Sequence, residues 1–284
     1  MSSKITRRAL LQAGCGVGSA LIAGEIVGAE GSGTRMKDEV RYEYLRPSEM
    51  VAKRKACPVA YLPIGTLEWH LAHNPLGLDA VKAHGLCVEC AKRGGGIVFP
   101  PLFYGENRTE AHLDREKADV FDLPKENFTN FAPFTVSEQA SNYQHLLIHI
   151  LNEIASLGFR FIIVCAGHYP LLDHGRAAIS VFRQTARRVS SQPTTGWVFT
   201  GYELVQDLFP GAGDHGGAWE TSIMMALDKD SVDLSLLSED EPWVKKVSVE
   251  YGRKAIDAIV KRVLERVDDM RANPDKYLGH YTPM

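Results

Sequence analysis

Short apolar runs alternate with longer segments of helical periodicity through most of the chain. The runs at residues 59–64, 97–99, 159–165 and 197–201 are largely apolar, which indicates buried strands. Apolar spacing and start signals predict helices at residues 46–54, 81–93, 136–157, 173–189 and 247–270, and another that opens within 213–222 and ends at 227. Strands that alternate with helices predict an α/β fold, a three-layer α/β/α sandwich with a mostly parallel central sheet.

The stretch from residue 102 to residue 133 follows neither pattern. It is polar and aperiodic, and irregular segments of this length in a compact domain are usually functional or mobile. We therefore predict a loop that shapes a pocket.

The first thirty residues differ from the rest of the chain. Arg7 and Arg8 precede an apolar run rich in glycine and alanine that ends with small residues, which predicts a twin-arginine export signal over residues 1–29. A structural helix is the alternative, but the frequent glycines disfavour it. We expect a flexible lead-in at 30–45 and a single domain at 46–284, exported folded to the periplasm or the exterior. Cys15 lies near the start of the apolar run, so no stable membrane anchor is expected after signal removal.

Composition narrows the classes of partner. The 284 residues carry a net charge of -3, and acidic and basic side chains are interspersed, so no basic patch suggests nucleic acid. We therefore expect small-molecule chemistry. Cys87 and Cys90 have the spacing of a zinc or redox pair, but no second pair answers them, and packed thiols in a helix are the simpler interpretation.

Carboxylate and imidazole side chains are concentrated in residues 65–79, directly after the first predicted strand. Glu68 and His70 are two residues apart, so they point the same way in an extended chain, and Asp79 closes the segment. Ligand sites in open α/β sheets form at the carboxyl ends of the strands. Oxygen and nitrogen donors of this kind suit zinc, manganese or iron.

Two further polar clusters follow predicted strands. His168 comes after the third strand, and His215 with Glu220 comes after the fourth. A lone histidine at such a position is more often structural. Together the three clusters supply enough ligands for two metal ions, which a carboxylate usually bridges at roughly 3.5–4 Å. The sequence therefore predicts a metal-dependent hydrolase.

The spacing of these clusters resembles the creatininase family of metal-dependent amidohydrolases. The resemblance covers residues 59–227 and rests on three elements: Gly65-Thr66-Leu67-Glu68-Trp69-His70 with Asp79, the Gly167-His168 turn, and a His-Gly-Gly-x-x-Glu-Thr-Ser element that begins at His215. It implies a creatininase-like catalytic domain with two divalent ions, zinc with manganese or iron. It also implies a homo-oligomer, a hexamer, that acts on a small-molecule amide.

The resemblance implies a ligand set for each metal ion. Glu68 and His168 would hold one ion, and His70 would hold the other. Asp79 would bridge the two ions, and Glu220 would complete the shell of the second.

The resemblance further implies catalytic and substrate-binding residues. His215 would be the general acid/base that carries a proton to the departing amine, with Glu220 as the second catalytic residue. Tyr169 and Trp219 would line the substrate pocket. His112 would also contact substrate, by a looser match of residues 104–112 to the family pattern.

The chain departs from the family pattern at two positions that bear on the site. Leu71 stands where the pattern has glycine, and Pro170 stands where creatininase itself has a metal-binding glutamate, a place that Glu220 could take. The predicted reaction is hydrolysis of a C–N amide bond, cyclic or linear, at a binuclear centre. Two alternatives stay open: a deformylase or peptide-trimming amidohydrolase of the same family, and an exported relative that binds metal or ligand without catalysis.

Overall fold

The computed structural model describes residues 38–105, 118–122, 135–189, 194–237 and 242–278. The predicted export signal, residues 30–37 of the lead-in, most of the predicted pocket loop and His112 lie outside these ranges. No helix within them is long and apolar enough to cross a membrane.

A parallel sheet of four strands forms the centre of the domain. The strands are β1 (Val59–Ile64), β2 (Ile97–Val98), β3 (Phe161–Ala166) and β4 (Thr195–Phe199), in the order β2-β1-β3-β4. Every pairing is parallel, and Tyr61 of β1 lies opposite Ile163 of β3. All the strand residues are buried, as continuous apolar runs require when both faces are covered. The predicted strands are confirmed, although β3 begins two residues later and β4 two residues earlier than expected.

Helices cover both faces of this sheet. Their bounds are α1 (Pro47–Ala56), α2 (Leu78–Gly94), α3 (Val136–Ser156), α4 (Leu171–Val189), α5 (Ala218–Leu227), α6 (Val249–Ala272) and α7 (Pro274–Leu278). The short α7 was not predicted. More important for the site, α2 begins at Leu78, three residues earlier than predicted, so Asp79 lies in its first turn rather than in the preceding loop.

The alternation of side chains along the strands separates two hydrophobic cores. Tyr61 and Ile163 point into one core with residues of α2, α5 and α6, whereas Leu62 and Val164 point into the other with residues of α3 and α4. The three-layer α/β/α sandwich is therefore confirmed. Cys87 and Cys90 are buried and free in α2, which agrees with packed thiols.

Two glycines let the first turn of α2 lie directly against the ends of β1 and β3. A Cβ atom at Gly167 would come within 2.0 Å of the Asp79 carbonyl oxygen, and one at Gly65 within 2.3 Å of the Ala80 nitrogen. Any other residue at either position would push α2 away from the sheet. These contacts place Asp79 beside the residues that follow both strands.

Candidate metal centre

A cavity of about 330 Å³ opens at the carboxyl ends of β1 and β3. All six residues predicted as metal ligands or catalytic groups line this cavity. They come from the loop after β1, the first turn of α2, the turn after β3, the start of α5 and the segment just before α5. The full lining is Glu68, His70, Asp79, Gly167, His168, Tyr169, Pro170, Tyr202, Gly213, Asp214, His215 and Glu220. The structure therefore brings together residues up to 152 positions apart, from Glu68 to Glu220.

Glu68, Asp79 and His168 form the first of three possible ligand sets. His168 Nδ1 lies 3.0 Å from Glu68 Oε2 and 3.3 Å from Asp79 Oδ2. Both oxygens are buried, and neither has a hydrogen-bond partner in the described part of the chain. Ligand bonds of about 2.0–2.2 Å place neighbouring donors of one ion roughly 3 Å apart. These three side chains therefore fit a divalent metal ion.

His70, Asp79 and Glu220 form the second set, which shares Asp79 with the first. His70 Nδ1 lies 3.1 Å from the backbone oxygen of Glu68, and since a carbonyl only accepts, this nitrogen carries the proton. Nε2 then faces Asp79 Oδ1 at 3.4 Å and Glu220 Oε2 at 3.8 Å. A backbone carbonyl that fixes the tautomer in this way is typical of metal-binding histidines.

Lys82 is the residue of the centre that sequence reasoning missed. It lies one turn after Asp79 on α2 and is 4% exposed. Its Nζ donates to Glu220 Oε1 and lies 3.4 Å from Asp79 Oδ1. The spacing of three residues gave no signal, because the predicted helix began at residue 81 and left Asp79 in the loop. Asp79 and Lys82 become neighbours on one face only because α2 begins at Leu78.

Neighbouring opposite charges stabilise the ionised forms of Asp79, Glu68 and Lys82 in this centre. Burial alone would raise the pKa of the Asp79 carboxyl, but the Lys82 ammonium and the imidazoles of His168 and His70 outweigh it and hold this pKa well below its usual value. Burial raises the pKa of Glu68 as well, and the adjacent His168 reverses this to a net lowering. Burial would lower the pKa of Lys82, but the carboxylates of Glu220 and Asp79 raise it above its ordinary value. Both ligand carboxylates of the first set are therefore ionised at neutral pH.

The loop after β1 is held to the start of α5 by buried hydrogen bonds. His73 Nε2 lies 2.9 Å from Thr221 Oγ1, and the Asn74 amide donates to the same Oγ1 at 3.1 Å. Leu71 has a φ of 63°, a left-handed conformation that favours glycine, and it stands where the resembled family pattern has glycine. The surrounding contacts thus hold this loop in place despite the strained residue.

His215 lies at the rim of the cavity. Its ring is 4.4 Å from the ring of His70, and its Nε2 is 2.8 Å from the backbone oxygen of Trp69. Nε2 must donate to this carbonyl, so Nδ1 is the acceptor of the neutral imidazole. A third possible ligand set combines His215 with Glu68 and His70.

The residues predicted to bind substrate lie in different environments. Tyr169 is exposed and lines the cavity, with its ring 5.6 Å from that of Tyr202, a lining residue that sequence reasoning missed. Trp219 does not line the cavity: it is 1% exposed and packs in the hydrophobic core. The prediction that Trp219 lines the substrate pocket was therefore wrong. Successive side chains on a helix point about 100° apart, so when Glu220 of α5 points to the site, Trp219 points into the core.

We expect Trp219→Phe to lower the free energy of unfolding by about 1–3 kcal/mol and to leave KM unchanged, because a core side chain loses volume. Tyr169→Ala should raise KM while changing stability by no more than about 0.5 kcal/mol, because this residue is exposed. Chemical denaturation and steady-state kinetics measure both. A raised KM in Trp219→Phe without loss of stability would contradict the core placement.

Comparison with known proteins identifies the family of this chain. The family profile described as creatininase, creatinine amidohydrolase, matches residues 43–261. The chain belongs to the creatininase family. It is 27% identical over 195 residues to the creatinine amidohydrolase of Pseudomonas putida, covering 65% of this chain and 70% of that protein.

Solved structures of creatininase share the fold. A manganese form is 22% identical with a TM-score of 0.64, and a mutant of Zn–Zn type is 23% identical with a TM-score of 0.63. Each comparison covers 83% of this chain and 99% of the other. Membership of the creatininase family makes this protein a hydrolase that acts on carbon–nitrogen bonds other than peptide bonds.

Proposed function

We propose that this creatininase-family hydrolase cleaves the C–N amide bond of a small molecule, cyclic or linear, with a divalent metal ion held by Glu68, Asp79 and His168. One observation carries the proposal: two buried carboxylate oxygens without hydrogen-bond partners converge on the Nδ1 atom of His168. Buried carboxylate oxygens without a hydrogen bond are costly unless a metal ion or a protonated imidazole compensates their charge.

The donor atoms and the structures of relatives together narrow the choice of metal ion. Carboxylate oxygens and imidazole nitrogens suit zinc, manganese or iron, and creatininase structures are described in Zn–Zn and manganese forms. A divalent ion bound here would supply the Lewis acidity that polarises an amide carbonyl and acidifies water. The resemblance to the family implies a second ion at His70, Asp79 and Glu220. Whether that set binds an ion depends on Lys82, which already occupies two of its carboxylate oxygens.

His215 carries the proton in this proposal. Its Nε2 is engaged by the Trp69 carbonyl, which leaves Nδ1 to take a proton and pass it to the departing nitrogen. Glu220 is less suited to the predicted catalytic role, because Lys82 binds its Oε1 and the Gly216 amide donates to its Oε2 at 2.9 Å. We propose that Glu220 orients the centre instead.

The cavity favours a compact substrate. The open cavity offers about 330 Å³ between the ligands and two tyrosines, Tyr169 and Tyr202, whose side chains can contact an amide. Cyclic and linear amides both fit this description. A screen for hydrolysis by the purified protein must therefore contain both kinds of amide, together with formylated amines and short peptides, which represent the alternative activities within the family.

We expect His215→Ala to lower kcat by about 10²–10⁴-fold, the usual contribution of a positioned proton carrier, while metal content stays unchanged. Elemental analysis and kinetics on the amide hydrolysed fastest provide the test, with His145→Ala as control because His145 is exposed on α3. Loss of the metal in His215→Ala would show instead that His215 is a ligand, as the third set permits. Full activity would show that another group carries the proton, and failure of the wild type to hydrolyse any amide tested would favour the relative without catalysis.

We also propose export by the twin-arginine route and assembly into a hexamer. The Arg7-Arg8 pair and the resemblance to the family support these two proposals. Secretion of a reporter fused to residues 1–29 tests the first proposal, and the mass of the purified protein in solution tests the second.

A further inference from the structure

We infer that the Lys82 ammonium takes the place of the second metal ion, so that the centre holds one ion, at Glu68, Asp79 and His168. This inference rests on the proposed function, because it assumes that the first ligand set binds metal. A centre with Lys82 in this position would differ from a binuclear centre in the number of metal ions it binds.

The two ligand sets differ in which oxygens are already occupied. In the first set, Glu68 Oε2 and Asp79 Oδ2 have no hydrogen-bond partner among the described residues. In the second set, Asp79 Oδ1 lies 3.4 Å from Lys82 Nζ, Glu220 Oε1 accepts from the same Nζ, and Glu220 Oε2 accepts from the Gly216 amide at 2.9 Å. The second set therefore presents oxygens that a cation already neutralises.

The position of Lys82 prevents it from making way for an ion. The side chain is 4% exposed, its helix is packed on the sheet beside Asp79, and Nζ lies 5.9 Å from the centre of the Trp219 ring. A buried ammonium that left its carboxylates would lose the charge compensation that offsets its desolvation. A second ion would share those carboxylates with a like charge and be repelled by it.

Near the second set, the described residues offer His215 as a further possible ligand, but its set also uses Glu68, which belongs to the first set. The ammonium has three donors and no acceptor, so it cannot coordinate a metal ion. Pro170, two residues after His168 and in the cavity wall, has no side-chain donor atom. His70 Nε2 is then the one ligand atom of the second set that Lys82 and the Gly216 amide leave without a partner of their own.

Lys82 is a positioning residue in this scheme. It is absent from the cavity lining and so does not touch substrate. By binding Asp79 and Glu220 together it fixes the carboxylate that ligates the first ion and supplies one positive charge where another site would hold a second ion. The number of bound metal ions and their environment therefore test this role of Lys82 more directly than the rate of hydrolysis does.

The experiment measures Mn²⁺ bound per folded chain by equilibrium dialysis and elemental analysis, with the EPR spectrum of the loaded protein. Three proteins are compared: wild type, Lys82→Met, and Lys92→Met as a matched control with an exposed lysine on the same helix. We expect wild type and Lys92→Met to bind one ion with the resolved hyperfine spectrum of isolated Mn²⁺. Lys82→Met should bind two, with the broadened spectrum of a magnetically coupled pair.

Each other outcome overturns the inference. Two ions in wild type would overturn it and leave the proposed function standing, whereas no ion in folded wild type would overturn both. One ion in folded Lys82→Met would show that Lys82 is not what excludes the second. If Lys82→Met does not fold, the wild-type count still decides, and Lys82→Arg, which keeps the charge, must also bind one ion.

Discussion

We expect His168→Ala to abolish metal binding and hydrolysis together. His168 Nδ1 is the nitrogen on which the two unpartnered carboxylate oxygens converge, so its removal leaves two buried negative oxygens facing each other without a third ligand. Residues that only orient a ligand typically cost 10–100-fold in metal affinity, so loss of the ligand itself should cost more than about 100-fold. Asp79→Asn should behave in the same way, because it removes the charge that both ligand sets share.

Metal titration, elemental analysis and kcat/KM on the screened amide measure this effect. His149→Ala is the control, because His149 is exposed on α3 and belongs to no ligand set of the described residues. Circular dichroism must show that each variant is folded. A folded His168→Ala protein that kept full metal and full turnover would rule out this assignment of the centre.

Gly167→Ala should be the most damaging single-methyl change of the site, with an expected loss of about 3 kcal/mol or more in the free energy of unfolding. The added Cβ would stand 2.0 Å from the Asp79 carbonyl oxygen, so α2 would have to move away from β3. That movement would also separate Asp79 from His168. Metal affinity should therefore fall with stability.

Denaturant unfolding in the presence of a chelator isolates the effect on the fold from any effect of bound metal. Gly211→Ala provides the control, because nothing lies within 4 Å of a Cβ built there. It should change stability by no more than about 0.5 kcal/mol. Equal stability of the two variants would show that α2 does not press on the end of β3.

The central sheet could be predicted from sequence because its signal is local. β1 and β3 are continuous apolar runs whose residues are all buried, and each ends at a recognisable glycine or polar turn. The start of α2 was predicted less well. Pro75, Leu76 and Gly77 are typical of a loop, but α2 begins directly after Gly77, and the backbone of Asp79 lies against Gly167.

The ligand residues could be proposed from spacing, but their electrostatic partners could not. A lysine three positions after an aspartate on a helix normally forms a solvent-exposed pair. Lys82 is buried because Glu220, 138 positions later, covers it. Tyr202 gave no signal, since it lies in an irregular segment without a motif, and the role of His112 stays a prediction.

Asp79 and Lys82 share one turn of α2, which has an evolutionary consequence. Asp79 belongs to both the first and the second ligand set, whereas the lysine three residues later belongs to neither. Exchange of that one residue would convert a centre for one ion into a centre for two without altering the sheet or the loops. Within this fold, metal stoichiometry would then be free to diverge between close descendants, and the residue three positions after the aspartate would record which state each had adopted.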